Sequence, residues 1–247
     1  MISPAPELRD PEVWDFWRPK TELGLCEDLT PLKASWEKST DPSQVRLREY
    51  RQRVREAFET KLNHDGLYLD LRVGLPESAN LLNGNDLENY LTPLFECGCL
   101  PAMQFRLVTA EKSSGGKSRL SIGIAEQRGT TGDLCGYCHF SIYPNAKPSS
   151  DHDFKVEMQS AIAACGHPAL PEGEVELHVA WRCALSRRSW FRLWKSTGDV
   201  LGPILGAYQR KNQFDPKDDR VTKLVFQFLP DESLNDRLQI GMWWRMR

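Results

Sequence analysis

The stretch Leu67–Phe95, LYLDLRVGLPESANLLNGNDLENYLTPLF, decides how the chain is read. Leu67, Leu69, Leu71, Val73 and Leu75 alternate with other residues, the period of a half-buried strand. Pro76 ends that strand, and Asn83-Gly84-Asn85 makes a turn. Asp86 stands at an N-cap position ahead of Leu87, Tyr90, Leu91 and Leu94 at helical spacing. Asp86 and Glu88 therefore mark the mouth of a strand-turn-helix unit. Acids at a helix N-terminus serve as plain caps. Two carboxylates two residues apart also offer oxygen ligands to a hard divalent cation.

The pattern recurs downstream. Leu177–Leu205 aligns with Leu67–Phe95 without a gap, and Leu67, Arg72, Leu75, Leu91 and Pro93 meet Leu177, Arg182, Leu185, Leu201 and Pro203 as identities. Farther on, Arg119-Leu120-Ser121-Ile122-Gly123 matches Arg237-Leu238-Gln239-Ile240-Gly241. Two matched blocks in the same order predict a diverged tandem repeat.

The 247 residues suit one large or two small domains, and 40% apolar with 27% charged residues is ordinary globular composition. No apolar run approaches membrane-spanning length and no signal peptide opens the chain, so no membrane partner is expected. A formal charge of −2 excludes a global electrostatic drive toward nucleic acid. Seven cysteines without a secretion signal point to the reducing cytoplasm.

Residues 1–42 read as an irregular N-terminal extension, interrupted by Pro4, Pro6, Pro11, Pro19 and Pro31. Its Trp14, Phe16, Trp17 and Trp36 either pack onto the body or form a docking arm for a partner, and packing is favoured. Asp41-Pro42-Ser43 starts a helix of about five turns, with Leu47, Tyr50, Val54, Phe58 and Leu62 inward. Arg46, Arg48, Arg51, Arg53 and Arg55 make it the most basic segment, either a solvated face or a phosphate-contacting one. Gln104–Ala110 and Arg119–Glu126 read as a hairpin around Gly115-Gly116, and Tyr137–Tyr143 as a further strand. A linker follows at Pro144–Ser150. The second half then reads as helix Asp151–Cys165, strand Glu174–Leu185, helix Thr197–Tyr208 and a closing hairpin of Val221–Leu229 with Leu238–Trp244. The fold class is α+β, with repeats at 43–145 and 146–247 of helix, strand, helix and hairpin.

This order, with DLENYL at the strand-to-helix junction, resembles the RusA-type Holliday-junction resolvases. Leu75-Pro76, Asp86-Leu87-Glu88-Asn89 and Gly115-Gly116 match the family's pattern in the first half, and Asp218-Asp219 stands at its Asp-Asp position in the second. The family acts as a homodimer, so the resemblance implies two RusA-like repeats forming a covalent pseudo-dimer. It also implies Mg2+-dependent cleavage of branched DNA, with clustered carboxylates holding the metal and a lysine stabilising charge on the phosphate.

Neither half carries the whole motif. The first half keeps Asp86, Glu88 and Asn89, has Thr92 for the lysine, and has Pro101-Ala102-Met103 where the Asp-Asp pair belongs. The second keeps Asp218 and Asp219 but has Ser196 and Gly198 for the motif acids and Gly202 for the lysine. The family's two sites lie apart, one per subunit, so a site shared between halves is not expected. The favoured reading is a non-catalytic, nucleic-acid-associated scaffold or interaction subunit of a larger bacterial or phage-related assembly for recombination, repair or defence. The alternative is an active structure-specific endonuclease using Asp86, Glu88, Asp218 and Asp219. Branched or structured DNA would meet Arg48, Arg51, Arg55, Arg187 and Arg188, and a protein partner completes the assembly.

Cys97-Gly98-Cys99 and Cys135-Gly136-Tyr137-Cys138 are two close thiol pairs. Brought together by antiparallel strands, they would make a four-thiolate zinc site; otherwise they are buried or incidental cysteines. Trp190, Trp194, Trp243 and Trp244 either stack bases or pack between the halves, and packing is favoured.

Overall fold

The computed structural model of the chain describes residues 14–27, 29–35, 37–145, 151–184, 190–208 and 214–247. Its strands are β1 Asp15–Cys26, β2 Leu67–Leu75, β3 Phe105–Ser114, β4 Arg119–Thr130, β5 Cys138–Ile142, β6 Val175–Cys183, β7 Val221–Pro230 and β8 Leu238–Met246. They form one eight-stranded sheet in the order β1-β4-β2-β3-β7-β6-β8-β5. The helices are α1 Pro42–Phe58, α2 Leu87–Phe95, α3 Asp151–Ala164, α4 Trp190–Gly198 and the single turn α5 Gly202–Leu205. The protein is thus a mixed α+β molecule.

Read from either edge, the order of strands and their directions is the same. β2 and β6 each run parallel to one neighbour (β3, β7) and antiparallel to the other (β4, β8). The middle seam is antiparallel, β3 against β7, with Leu107 opposite Gln227 and Glu111 opposite Lys223. β1 closes one edge on β4, and β5 closes the other on β8. The two sequence blocks do not share one ladder register. Tyr68 faces Gly123, whereas His178, aligned with Tyr68, faces Trp243 rather than Gly241. The slip is two residues, so each side chain keeps its face of the sheet.

Two expected hairpins are absent. β2 lies between β3 and β4, and β6 lies between β7 and β8. The reason is burial. Leu67, Leu69, Leu71, Val73 and Leu75 of β2 and Val175, Leu177, Val179, Trp181 and Cys183 of β6 are buried in the core, and each of these strands takes a central place with partners at both edges. The expected helix Thr197–Tyr208 is also redrawn. α4 stops at Gly198, and Gly202-Pro203 begins a separate turn.

The helices cover one face of the sheet, and Trp14 and Phe16, at the start of β1, lie against the other. Leu69, Leu71, Val179, Trp181, Phe226 and Ile240 join Leu47, Val54, Leu91, Phe154 and Leu193 of the helices in one continuous core. On the other face, Trp14, Phe16, Leu134, Ala180, Leu229 and Trp243 pack together, with Trp17 alongside. Trp14 is fully buried and meets Trp243 edge-on at 5.5 Å. The segment expected to be irregular therefore forms a twelve-residue strand, and Pro19 is tolerated there because it sits in an edge strand next to a register shift. Trp36 and residues 1–13 lie outside the described residues. Among the described residues no helix is long and apolar enough to cross a membrane.

Candidate functional site

The sheet topology brings Asp86 and Glu88 to Asp218 and Asp219. β2 and β3 are parallel, so both point their C-terminal ends to the same edge, where the loop 76–86 leads into α2. β7 runs antiparallel to β3, so its N-terminal end, preceded by the 3-10 turn Asp218–Arg220, lies at that same edge. α2 packs over both β3 and β7. The first half's motif acids and the second half's Asp-Asp pair, expected to lie apart, are neighbours across the central seam.

Asp86 is at the N-cap of α2, yet its side chain makes no capping hydrogen bond. Asn89 Nδ2 instead donates to Asp86 Oδ2 at 3.0 Å and holds the carboxylate aside. Gly84, at φ 68°, turns its N–H onto Asp219 Oδ2 at 3.1 Å, so the turn of one half clamps an acid of the other. Tyr208 also donates its hydroxyl to Asp219 Oδ2. Asp219 is 4% exposed, and its Oδ1 has no hydrogen-bond partner among the described residues. A buried carboxylate oxygen left without a donor costs free energy unless a cation or water meets it.

Burial raises the pKa of Asp86, and the charge of Asp219 adds to it. Burial pushes Glu88 up to about 7, with Lys195 opposing and Asp199 and Asp86 reinforcing. Burial pushes Asp218 up to about 8, helped by Asp86, Glu88 and Asp219. A buried cation lies among them. Lys112 of β3 is 2% exposed and donates to Asn85 O at 2.9 Å and Asp219 O at 2.5 Å. Burial brings its pKa down to about 8, while the nearby acids hold it up. Sequence reasoning placed the lysine slot at Thr92, which is buried on α2. The available signal was Lys112 itself, a charge on the face of β3 shared by Val108 and Ala110.

Asp86, Glu88 and Asp218 line a cleft floored by Leu177, Trp194 and Leu224, with about 10 Å³ of accessible space. That is room for one water or one bare ion. Among the described residues, no three His, Cys, Asp or Glu side chains already converge to hold a metal ion. The donors are nonetheless all carboxylate oxygens, the chemistry that Mg2+ takes, and the unmet Asp219 Oδ1 is one of them. Like charges, offset in part by Lys112, Lys33 and Lys195, oppose the close approach of the acids.

The other expected sites fare differently. Arg51 donates to Pro93 O and pairs with Glu96 at 3.1 Å, Arg55 donates to Gly98 O, and Arg48 to Ser39 O. These arginines tie α1 to the end of α2 and to the chain before α1. Arg187 and Arg188 lie outside the described residues. Cys99 turns its thiol to Arg51 O at 3.3 Å, while Cys135 and Cys138 flank the start of edge strand β5. The antiparallel pairing that would join the two thiol pairs is missing, because β2 separates β3 from β4 and β5 pairs with β8. The Cys97 side chain lies outside the described residues. Trp194, Trp243 and Trp244 are buried.

Comparison with protein families and with curated proteins finds no match to this chain.

Proposed function

We propose that the chain is a tandem RusA-like molecule whose acid cluster is a Mg2+-dependent centre cleaving phosphodiester bonds in branched DNA. One observation carries this reading. Asp86 and Glu88, kept by the first half, lie against Asp218 and Asp219, kept by the second, so the two partial sets add up to one whole. The matching strand order from both edges supports descent from a dimer of one repeat. Mg2+, when bound, would activate a water and offset charge on the scissile phosphate. Asp86, Glu88, Asp218 and Asp219 would supply its oxygen ligands. Asn89 orients Asp86, and Gly84 and Tyr208 orient Asp219. Lys112 supplies positive charge beside the phosphate.

The test has two arms. Purified protein should cut a four-way DNA junction in Mg2+ or Mn2+, and Asp86→Asn and Asp218→Asn should each lose this by a factor of about 100 or more. Independently of cutting, Mn2+ should raise the Tm of the wild type and not of Asp218→Asn; saturation a hundredfold above Kd is worth about 2.7 kcal/mol. Intact junctions together with an unmoved Tm would sink the proposal.

That result would leave the second reading, a cytoplasmic, non-catalytic subunit that holds nucleic acid within a larger assembly. It draws support from the near-neutral charge.

A further inference from the structure

We infer that the sheet carries a phosphate track on the face away from the helices, a row of cations that holds the backbone of a nucleic acid. The inference needs only that the molecule meets nucleic acid, which both readings above share, and not that the acid cluster cuts. It starts from register. Arg119 of β4 stands opposite Arg72 of β2, Arg72 opposite Glu111 of β3, and Glu111 opposite Lys223 of β7. Lys223 then stands opposite Glu176 of β6, and Glu176 opposite Arg245 of β8. Residues directly opposite one another share a face of the sheet. Arg72 alternates with Leu71 and Val73, which pack in the core with the helices, so the row lies on the other face. Strands spaced by about 4.8 Å make it roughly 24 Å long from β4 to β8. Lys112, next to Glu111, points instead to the acid cluster, so row and cluster occupy the two faces of the same strand ends.

The row is built in two layers. Asp70 pairs with Arg72 at 3.0 Å and Arg119 at 3.4 Å. Glu111 pairs with Arg72, and with Arg247 at 2.7 Å. Glu176 pairs with Lys223 at 2.5 Å and Arg245 at 2.7 Å. The acid side chains are 2–20% exposed and the cation side chains 32–48%. The acids therefore lie beneath and the cations above. Burial works against the charge of Glu176, yet hydrogen bonds from His178, Lys223 and Arg245 hold its carboxyl well below the usual range. It stays ionised and keeps its cations aimed. Arg245 also sits over the Tyr137 ring at 4.4 Å. Exposed ion pairs add little to stability. Five cations over three acids leave a local surplus of positive charge on a chain whose formal charge is −2. A nucleic-acid strand presents one phosphate per roughly 3.4 Å, an array of the opposite sign with a fixed spacing. An acidic peptide has no such fixed spacing. Each guanidinium carries five N–H donors, and Arg119 reaches its acid through Nη2 alone.

The experiment reads binding of a labelled DNA duplex to the full chain by fluorescence anisotropy, in EDTA and across a range of salt. EDTA removes divalent metal, so cutting does not enter. The wild type should bind, with log K falling linearly against log salt. Arg119→Gln and Arg245→Gln should each weaken binding and lower that slope by about 1, and together by about 2, whatever the DNA sequence. Arg128→Gln, at the far end of β4, removes the same charge from an exposed site and should keep the wild-type slope. Circular dichroism identifies a variant that has lost its fold, and the other single variant then carries the test. Row variants that keep the wild-type slope would overturn the inference. So would a wild type that leaves DNA unbound at low salt, whether or not it takes up labelled polyglutamate. Either result leaves the proposed cleavage to its own test in Mg2+, and uncut junctions in that test leave the row standing.

Discussion

Asp218 shows at the scale of one residue what the acid cluster costs the fold. Its folded pKa is raised to about 8, while an unfolded aspartate ionises near 4. Below about pH 4 the group is protonated in both states and contributes nothing to the balance. As pH rises through about 4 to 8 the unfolded chain gives up the proton first, so the folded state loses relative stability, and the loss is complete above about 8. Glu88, raised to about 7, acts in the same direction. Asp218→Asn is therefore expected to raise the Tm at pH 8, by about 1–3 kcal/mol of stability, and to leave it unchanged at pH 4. Thermal melts at the two pH values check this, and equal Tm values at pH 8 would contradict it. Stability surrendered at a site is the usual sign of a group held for function.

Among the elements, β1 departs most from what its sequence suggests. Its burial pattern does not alternate cleanly, and proline sits within it. It becomes a strand because β4 extends to Thr130 and offers an open edge, and because Trp14 and Phe16 reach Trp243, at 5.5 and 5.2 Å, on the face the helices leave uncovered. Trp14 also lies under the Arg182 guanidinium at 4.6 Å. Trp14→Ala should cost about 3–5 kcal/mol, the range for emptying a large aromatic site. Urea denaturation measures it, and a loss below about 1 kcal/mol would mean that β1 is not anchored through this residue. By contrast, α1 was legible as far as Phe58, with Leu62 falling beyond its end and only partly buried. Asp41 accepts from Ser43 N at 2.8 Å, and Leu47, Tyr50, Val54 and Phe58 are buried, as the capping residues and the apolar stripe predict.

The whole molecule is tied through its middle. The β3–β7 ladder and one continuous core join the sequence segments 43–145 and 146–247, and β5 of the first pairs with β8 of the second. Neither segment keeps its sheet or its acid cluster without the other. Unfolding is therefore expected to be a single transition, with fluorescence and circular dichroism superimposing in urea. Two resolved transitions would contradict a shared core. The same joining makes the catalytic proposal a property of the whole chain, since Asp86 and Asp218 belong to different segments.

Local periodicity was enough to place α1, β2, α3 and β6 and, with capping, to single out Asp86 and Glu88, because alternation and caps are written within a few residues; Asp218 and Asp219 were singled out by the resemblance alone. Strand neighbours were not written there. β2 parts β3 from β4, with its Leu67, Leu69, Leu71, Val73 and Leu75 face in the core, a matter of which strands flank it rather than of its own order of residues. Only the antiparallel meeting of β3 and β7 gathers acids 130 or so residues apart around Lys112, since that direction alone puts the end of one strand beside the start of the other.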